Sequence, residues 1–167
     1  MVRLAAVGAA IVGLAGCATV AQLVRVQPPR FVAAEGRASE LRLFGPSLDR
    51  PLGGAAIRIW SRVENPNPFG LTLTSLAGDV LLEDARAATI ELPLGLPLQA
   101  GQDTVIPIEV SIDFSDLPEL AGAAVRFVRT GAVPYRLEGG FAVDAGPFGQ
   151  PRFGPMTLMS GSLDVRR

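Results

Sequence analysis

The sequence predicts a mainly β fold, an antiparallel sandwich carrying one short amphipathic helix. Three observations point there. Apolar side chains recur with a period of two in several separate stretches, the mark of half-buried strands. Glycine and proline, 19 and 14 residues respectively, interrupt the chain between those stretches. A single later segment changes to the 3.6-residue period of a helix.

The elements follow in order. Ile57, Ile59 and Val63 share one phase, and Arg58, Arg62 and Glu64 the other, with Trp60 on the outer face. Leu71 and Leu73 follow, then Val80, Leu81 and Leu82. Ile90, Leu92 and Leu94 alternate with Glu91 and Pro93. The clearest strand has Ile106, Ile108, Val110 and Ile112 alternating with Pro107, Glu109, Ser111 and Asp113. Tyr135, Leu137, Phe141 and Val143 form another alternation, and residues 157–165 a last one. Between them Leu117, Leu120, Ala121, Ala124, Phe127 and Val128 recur at helical spacing. Asp116 and Glu119 fit a capping box at its start. Arg126 and Arg129 suit the negative end of its dipole, and Gly131 suits its termination.

The first 37 residues do not belong to this pattern. Arg3 precedes an apolar stretch from Leu4 to Gly13, too short to span a bilayer. Leu14-Ala15-Gly16-Cys17 then resembles the bacterial lipobox. In that motif small residues let the extended chain enter a peptidase, and the thiol takes a diacylglyceryl group. The organisation expected is a signal peptide at 1–16, a lipidated Cys17 with a tether over 17–37, and a folded domain at 38–167. Gln27-Pro28-Pro29 favours an extended tether. Two or more acyl chains are needed for stable anchoring, so the membrane is the one partner expected, through Cys17. Ala18 in place of Asp favours the periplasmic face of the outer membrane if the organism has two membranes. Two other readings of the leader stay open: an uncleaved transmembrane anchor from Leu4 to Val24, and an inert cysteine in an ordinary helix.

Composition removes whole classes of chemistry. The formal charge is -1, so there is no electrostatic footprint for nucleic acid. The chain has no His, and all 15 of its basic residues are Arg. The usual general bases of a hydrolase are therefore missing. No phosphate loop or dinucleotide fingerprint occurs. Glu83-Asp84 and the pair Asp113 and Asp116 could in principle act as paired carboxylates, and Asp113, Asp116 and Glu119 could bind calcium. Solvated turns and helix capping explain them more simply. Trp60 and Tyr135, each unique in the chain, read as packing or rim residues. The expectation is a protein with no catalytic residue, no cofactor and no metal site.

Asn65-Pro66-Asn67-Pro68-Phe69-Gly70 is the one distinctive motif, and it holds the only two asparagines. A following proline pushes each Asn out of the α region. Asx side chains can then serve backbone groups that have no ladder. Asn65, Pro66, Asn67 and Pro68 read as a rigid structural turn between strands, with a ligand or partner site as the alternative.

A strand ending in Asn-Pro-Asn and followed by Phe69-Gly70-Leu71-Thr72-Leu73 resembles the late embryogenesis abundant type 2 family, also called the water stress and hypersensitive response (WHy) domain. Residues 76–82, 103–112, 117–127 and 133–139 resemble that family's later elements in order, and the likeness runs from Ser39 to Val165. Pro68, Gly140 and the Pro-Phe-Gly-Gln-Pro stretch at 147–151 depart from it. The resemblance implies a fibronectin- or immunoglobulin-like antiparallel sandwich of about seven strands with one helix. It also implies a non-catalytic part in protection from desiccation or related stress. A carrier of an apolar ligand or lipid, or a subunit of an envelope complex, remains as the alternative, with protein partners unnamed.

Overall fold

The computed structural model describes residues 25–115 and 126–166. Cys17 and the leader lie outside the described residues, as do Asp116, Leu117, Glu119 and the rest of the first part of the expected helix. The described residues form eight strands: β1 (Arg30–Ala33), β2 (Glu40–Phe44), β3 (Gly54–Glu64), β4 (Leu71–Leu82), β5 (Ala85–Leu98), β6 (Asp103–Asp113), β7 (Ala132–Asp144) and β8 (Arg152–Arg166). Residues 126–130 are helical. Phe127 is buried, and Gly131, at φ +73°, ends the helix by donating its N–H to the Phe127 carbonyl at 3.0 Å.

The chain is mainly β, as its patterning predicts, but the connectivity differs from a simple antiparallel sandwich of seven strands. Hydrogen bonds join all eight strands into one sheet, in the order β1-β3-β2-β8-β7-β4-β5, with β6 also on β3. β3 is the reason. Its eleven residues are paired on one edge with β6 along their whole length. On the other edge they take β1 against Ser61–Glu64 and β2 against Gly54–Arg58. β2 then pairs in parallel with the end of β8, Glu40 opposite Asp164, and so bridges to β7, β4 and β5.

The sheet curls around one apolar core. Leu41, Ile57, Ile59, Val63 and Ile108 come from the β2-β3-β6 side and Leu73, Leu76, Val80, Leu137 and Leu163 from the β4-β7-β8 side, all of them fully buried. The curl brings Phe31 of β1 to Phe141 of β7, with ring centroids 5.1 Å apart, although the two strands are not neighbours. Gly78 and Gly139 are directly opposed in β4 and β7. A Cβ at either would collide with the backbone of the other strand, so only glycine permits this close crossing.

Two local features explain why the sequence pattern is imperfect. β4 is one strand of twelve residues, with a bulge between Leu73 and Ser75 against both neighbours. The extra residue moves the buried set from odd positions, Leu71 and Leu73, to even ones, Leu76, Val80 and Leu82. The bulge is held by Thr74, whose Oγ1 donates to the Ala142 carbonyl at 3.0 Å. The second feature is the hairpin turn from β4 to β5, where Glu83 and Asp84 both take positive φ, 47° and 68°. That is the geometry of a two-residue hairpin loop, normally filled by Asn or Gly.

The sheet begins upstream of residue 38, inside the stretch read as a tether. Arg30–Ala33 pairs with β3, and Phe31 and Ala34 are buried. Pro28 and Pro29 stop just short of β1, so they do not break its ladder. A chain starting at residue 25 is expected to unfold cooperatively with full stability. A chain starting at 38 loses Phe31 and the partner of Asn67 described below. It should be less stable by roughly 3–5 kcal/mol in urea titrations followed by circular dichroism. Equal stability of the two chains would show that β1 adds nothing to the fold.

Candidate functional site

The Asn-Pro-Asn-Pro turn follows β3 directly and lies where three segments meet: residues 25–29, the turn from β3 to β4, and the turn from β5 to β6. Asn65 and Asn67 are almost completely buried, at 2% and 1% exposure. A buried turn must still satisfy its backbone. Pro66 and Pro68 carry no N–H to satisfy. The Asn65 N–H donates to the Gln102 carbonyl at 2.9 Å, and the Asn67 N–H to Asn65 Oδ1 at 3.0 Å.

The two side chains then divide the surrounding groups between them. Asn65 Nδ2 faces the carbonyls of Phe69, Gln99 and Leu98 at 2.9, 3.1 and 3.3 Å. It has two hydrogens, so one contact is shared. Its Oδ1 also accepts from Asn67 Nδ2 at 2.9 Å. Asn67 turns its remaining capacity to Gln27, forty residues upstream: Oδ1 accepts the Gln27 N–H at 2.8 Å, and Nδ2 donates to the Gln27 carbonyl at 2.9 Å. The amide of Asn67 thus pairs with one backbone residue as a neighbouring strand would. Gly101 closes the arrangement by donating its N–H to the Asn67 carbonyl at 3.2 Å. Phe69, from the same turn, stacks on Phe148 of the 3-10 turn Gly146–Phe148 at 4.4 Å. Both asparagine amides are directed into the protein.

The carboxylates singled out in the sequence do not converge. Asp113 Oδ1 accepts the Ser115 N–H at 2.8 Å, and that bond, more than the nearby Arg50, holds its carboxyl below the ordinary value. Asp116 and Glu119 lie outside the described residues. Glu83 and Asp84 are taken up by arginines: Arg126 reaches Glu83 at 3.1 Å, and Arg136 pairs with both Asp84 and Glu138. Among the described residues no three acidic, His or Cys side chains group as metal ligands would. Trp60 is half-buried on the outer face with the Arg37 guanidinium 4.5 Å above its ring. Tyr135 is a core residue, and burial pushes its phenol up, opposed by a hydrogen bond with the Ser39 side chain.

Sequence reasoning picked out the two asparagines but missed Gln27. Gln27 acts through its backbone alone, so no residue type could signal it. The arrangement predicts an order of damage. Asn65→Ala removes the side-chain donor to the Phe69 and Leu98 carbonyls, while the Gln99 carbonyl keeps the Gln102 N–H at 3.2 Å, and should cost about 2–4 kcal/mol. Asn65→Asp should cost at least as much, because it turns an oxygen toward those carbonyls while keeping the shape. Chemical denaturation of both variants checks this. An aspartate variant as stable as wild type would contradict the geometry.

The late embryogenesis abundant family model (LEA_2) matches residues 61–157, more than half of the chain. No curated protein sequence matches. Among solved structures, the solution structure of an Arabidopsis thaliana protein is similar at a TM-score of 0.53 and 17% identity, over 78% of this chain and 81% of that one. A crystal structure of an Archaeoglobus fulgidus protein is matched at a TM-score of 0.44 and 13% identity, over 78% of this chain and 98% of that one. The Arabidopsis likeness is one of fold alone. By the family match, with Asn65, Asn67 and most of the sheet inside the matched span, the chain belongs to the late embryogenesis abundant type 2 family.

Proposed function

We propose that this protein is an envelope lipoprotein, held to a membrane by acyl chains on Cys17, that protects against desiccation or related stress without catalysing a reaction. The observation that carries the reading is the pairing of a family domain with Leu14-Ala15-Gly16-Cys17 at the end of a short apolar leader. The first supports the stress context, the second the location. The membrane would be the periplasmic face of the outer membrane in an organism with two membranes.

The residues of the domain support a non-catalytic role. The chain carries no His or Lys, and its one Cys belongs to the leader motif, so most routes to a base or nucleophile near neutral pH are closed. Its distinctive polar side chains, Asn65 and Asn67, are spent on backbone groups. Three of its exposed carboxylates, Glu83, Asp84 and Glu109, pair with arginines. The reading needs no cofactor or metal, and no nucleic acid partner.

Placement and fold, not any single carboxylate, should then decide activity. A deletion strain expressing wild type, Cys17→Ser or Glu109→Ala is dried and rehydrated, and labelled palmitate is followed in parallel. The reading expects palmitate on wild type alone, loss of survival with Cys17→Ser, and survival with Glu109→Ala. Palmitate on neither protein would overturn the anchor. Equal survival of the deletion strain and wild type would overturn the protective role.

A further inference from the structure

Five large apolar side chains are exposed among the described residues, and three of them belong to one connection. Phe44, Leu48 and Leu52 surround the loop of residues 45–53 that joins β2 to β3. Leu48 is fully exposed, Leu52 49% and Phe44 36%. The loop holds them there by its own hydrogen bonds. Ser47 and Arg50 each donate their N–H to the other's carbonyl, at 2.9 and 3.3 Å, and the Arg50 N–H also meets the Ser47 hydroxyl at 3.2 Å. The Gly53 N–H donates to the Arg50 carbonyl at 2.9 Å, and the Gly53 carbonyl accepts the Phe114 N–H at 3.2 Å. Gly53, at φ +77°, passes so close to the Phe44 carbonyl that no Cβ fits. Pro46 and Pro51 carry no N–H. The tip thus satisfies much of its own backbone, as a segment that leaves water has to do.

We infer that this tip enters the interface of a phospholipid bilayer, with Leu48 and Leu52 at the acyl boundary and Arg42 and Arg50 at the phosphates. The Arg50 guanidinium lies 5.6 Å over the Phe44 ring, and Arg42 is exposed and makes no ion pair among the described residues. Guanidinium groups beside an apolar tip suit phosphate headgroups. Asp49 beside Leu48, and Asp113 within reach of the Arg50 charge, balance those two cations. The tip therefore needs no anionic lipid, and Asp49 keeps its insertion shallow. Three apolar side chains on a projecting loop suit a fluid phase that closes around them, whereas a folded partner needs a pocket for each. The inference rests on the proposed membrane attachment for its setting, because that bilayer is the apolar phase within reach. The loop lies at the start of β3, and Gln27, where the chain leaves toward Cys17, lies beyond its end, so the eleven residues of β3 set the two roughly 33 Å apart. Held by the leader at one end and by the tip at the other, the domain lies with β3 along the bilayer.

Trp60 is the only tryptophan, so a chain carrying Trp60→Phe is a dark background for an indole placed elsewhere. The full-length chain in that background is reconstituted into phosphatidylcholine vesicles with brominated acyl chains and recovered by flotation. Leu48→Trp puts the indole at the tip, and Ala100→Trp puts it at an exposed turn at the opposite end. Leu48→Trp should lose about half of its emission or more to the bromines, and Ala100→Trp less than about a tenth. Adding Leu52→Ser should cut the quenching at the tip roughly twofold, and adding Val105→Ser, an apolar residue exposed elsewhere, should leave it unchanged. Emission from Leu48→Trp that the bromines leave untouched overturns the inference, and if acrylamide also fails to reach that indole, the occupant is a second copy of the chain. Equal quenching at both ends overturns the tip as the point of entry. Flotation and palmitate labelling read the attachment separately, so unquenched emission on floated vesicles counts against the tip and not against the anchor.

Discussion

Two buried carboxamides hold one end of this domain together. A turn that must connect β3 to β4 passes beneath the turn from β5 to β6 and beside the incoming chain at Gln27, and none of these segments can satisfy the others by a regular ladder. Carbonyls of Phe69, Leu98, Gln99 and Gln27 converge on the same small volume. A carbonyl cut off from water, as that of Leu98 is, would cost on the order of 1–3 kcal/mol if left alone. Asparagine is suited to the task because it carries donor and acceptor on one short, rigid group, and two of them in contact can pass bonds along a chain of partners. Proline at the alternate positions removes donors that would otherwise need partners. The result is a network in which the loss of one member exposes the rest.

The remainder of the sheet depends on that end being closed. β1 has four residues and one neighbour, β3. Its place is set from both sides, by Phe31 against Phe141 and by Gln27 against Asn67. With β1 docked and β2 continuing on the same edge, β3 is covered along its length and the parallel contact of β2 with β8 joins the halves. On the other side β4 and β7 approach each other closely at Gly78 and Gly139. The body of the chain has no cysteine, so packing and these hydrogen bonds carry the stability without covalent help.

Much of this was legible in the sequence, and the limits have physical causes. Strands with unbroken alternation, such as Ile106 to Ile112 and Tyr135 to Val143, are read directly because every second side chain enters one core. β4 is obscured by its bulge, which reverses the parity of the buried set halfway along. β1 is obscured by Pro28-Pro29 and by its length, which is too short to show a period. The parallel pairing of β2 with β8 is a contact between distant segments and leaves no local mark. Ser61 sits in the buried phase of β3 where an apolar residue would be expected, with no hydrogen-bond partner for its hydroxyl among the described residues. The asparagines announced themselves by their rarity and their prolines, while their partners, being backbone groups, did not.

Hydrogen exchange tests the central role of the asparagine network most directly, because it reads the local free energy of opening at each amide. The informative positions are the Gln27 and Asn67 N–H groups, both bonded only to asparagine side chains, compared with core amides of Ile59 and Leu137. If the network closes this end of the domain, Gln27 and Asn67 exchange only with global unfolding, at the same free energy as the core and with the same dependence on denaturant. Exchange of those two amides several kcal/mol more easily than the core would contradict the account, and would make the turn a surface loop that the rest of the sheet does not need.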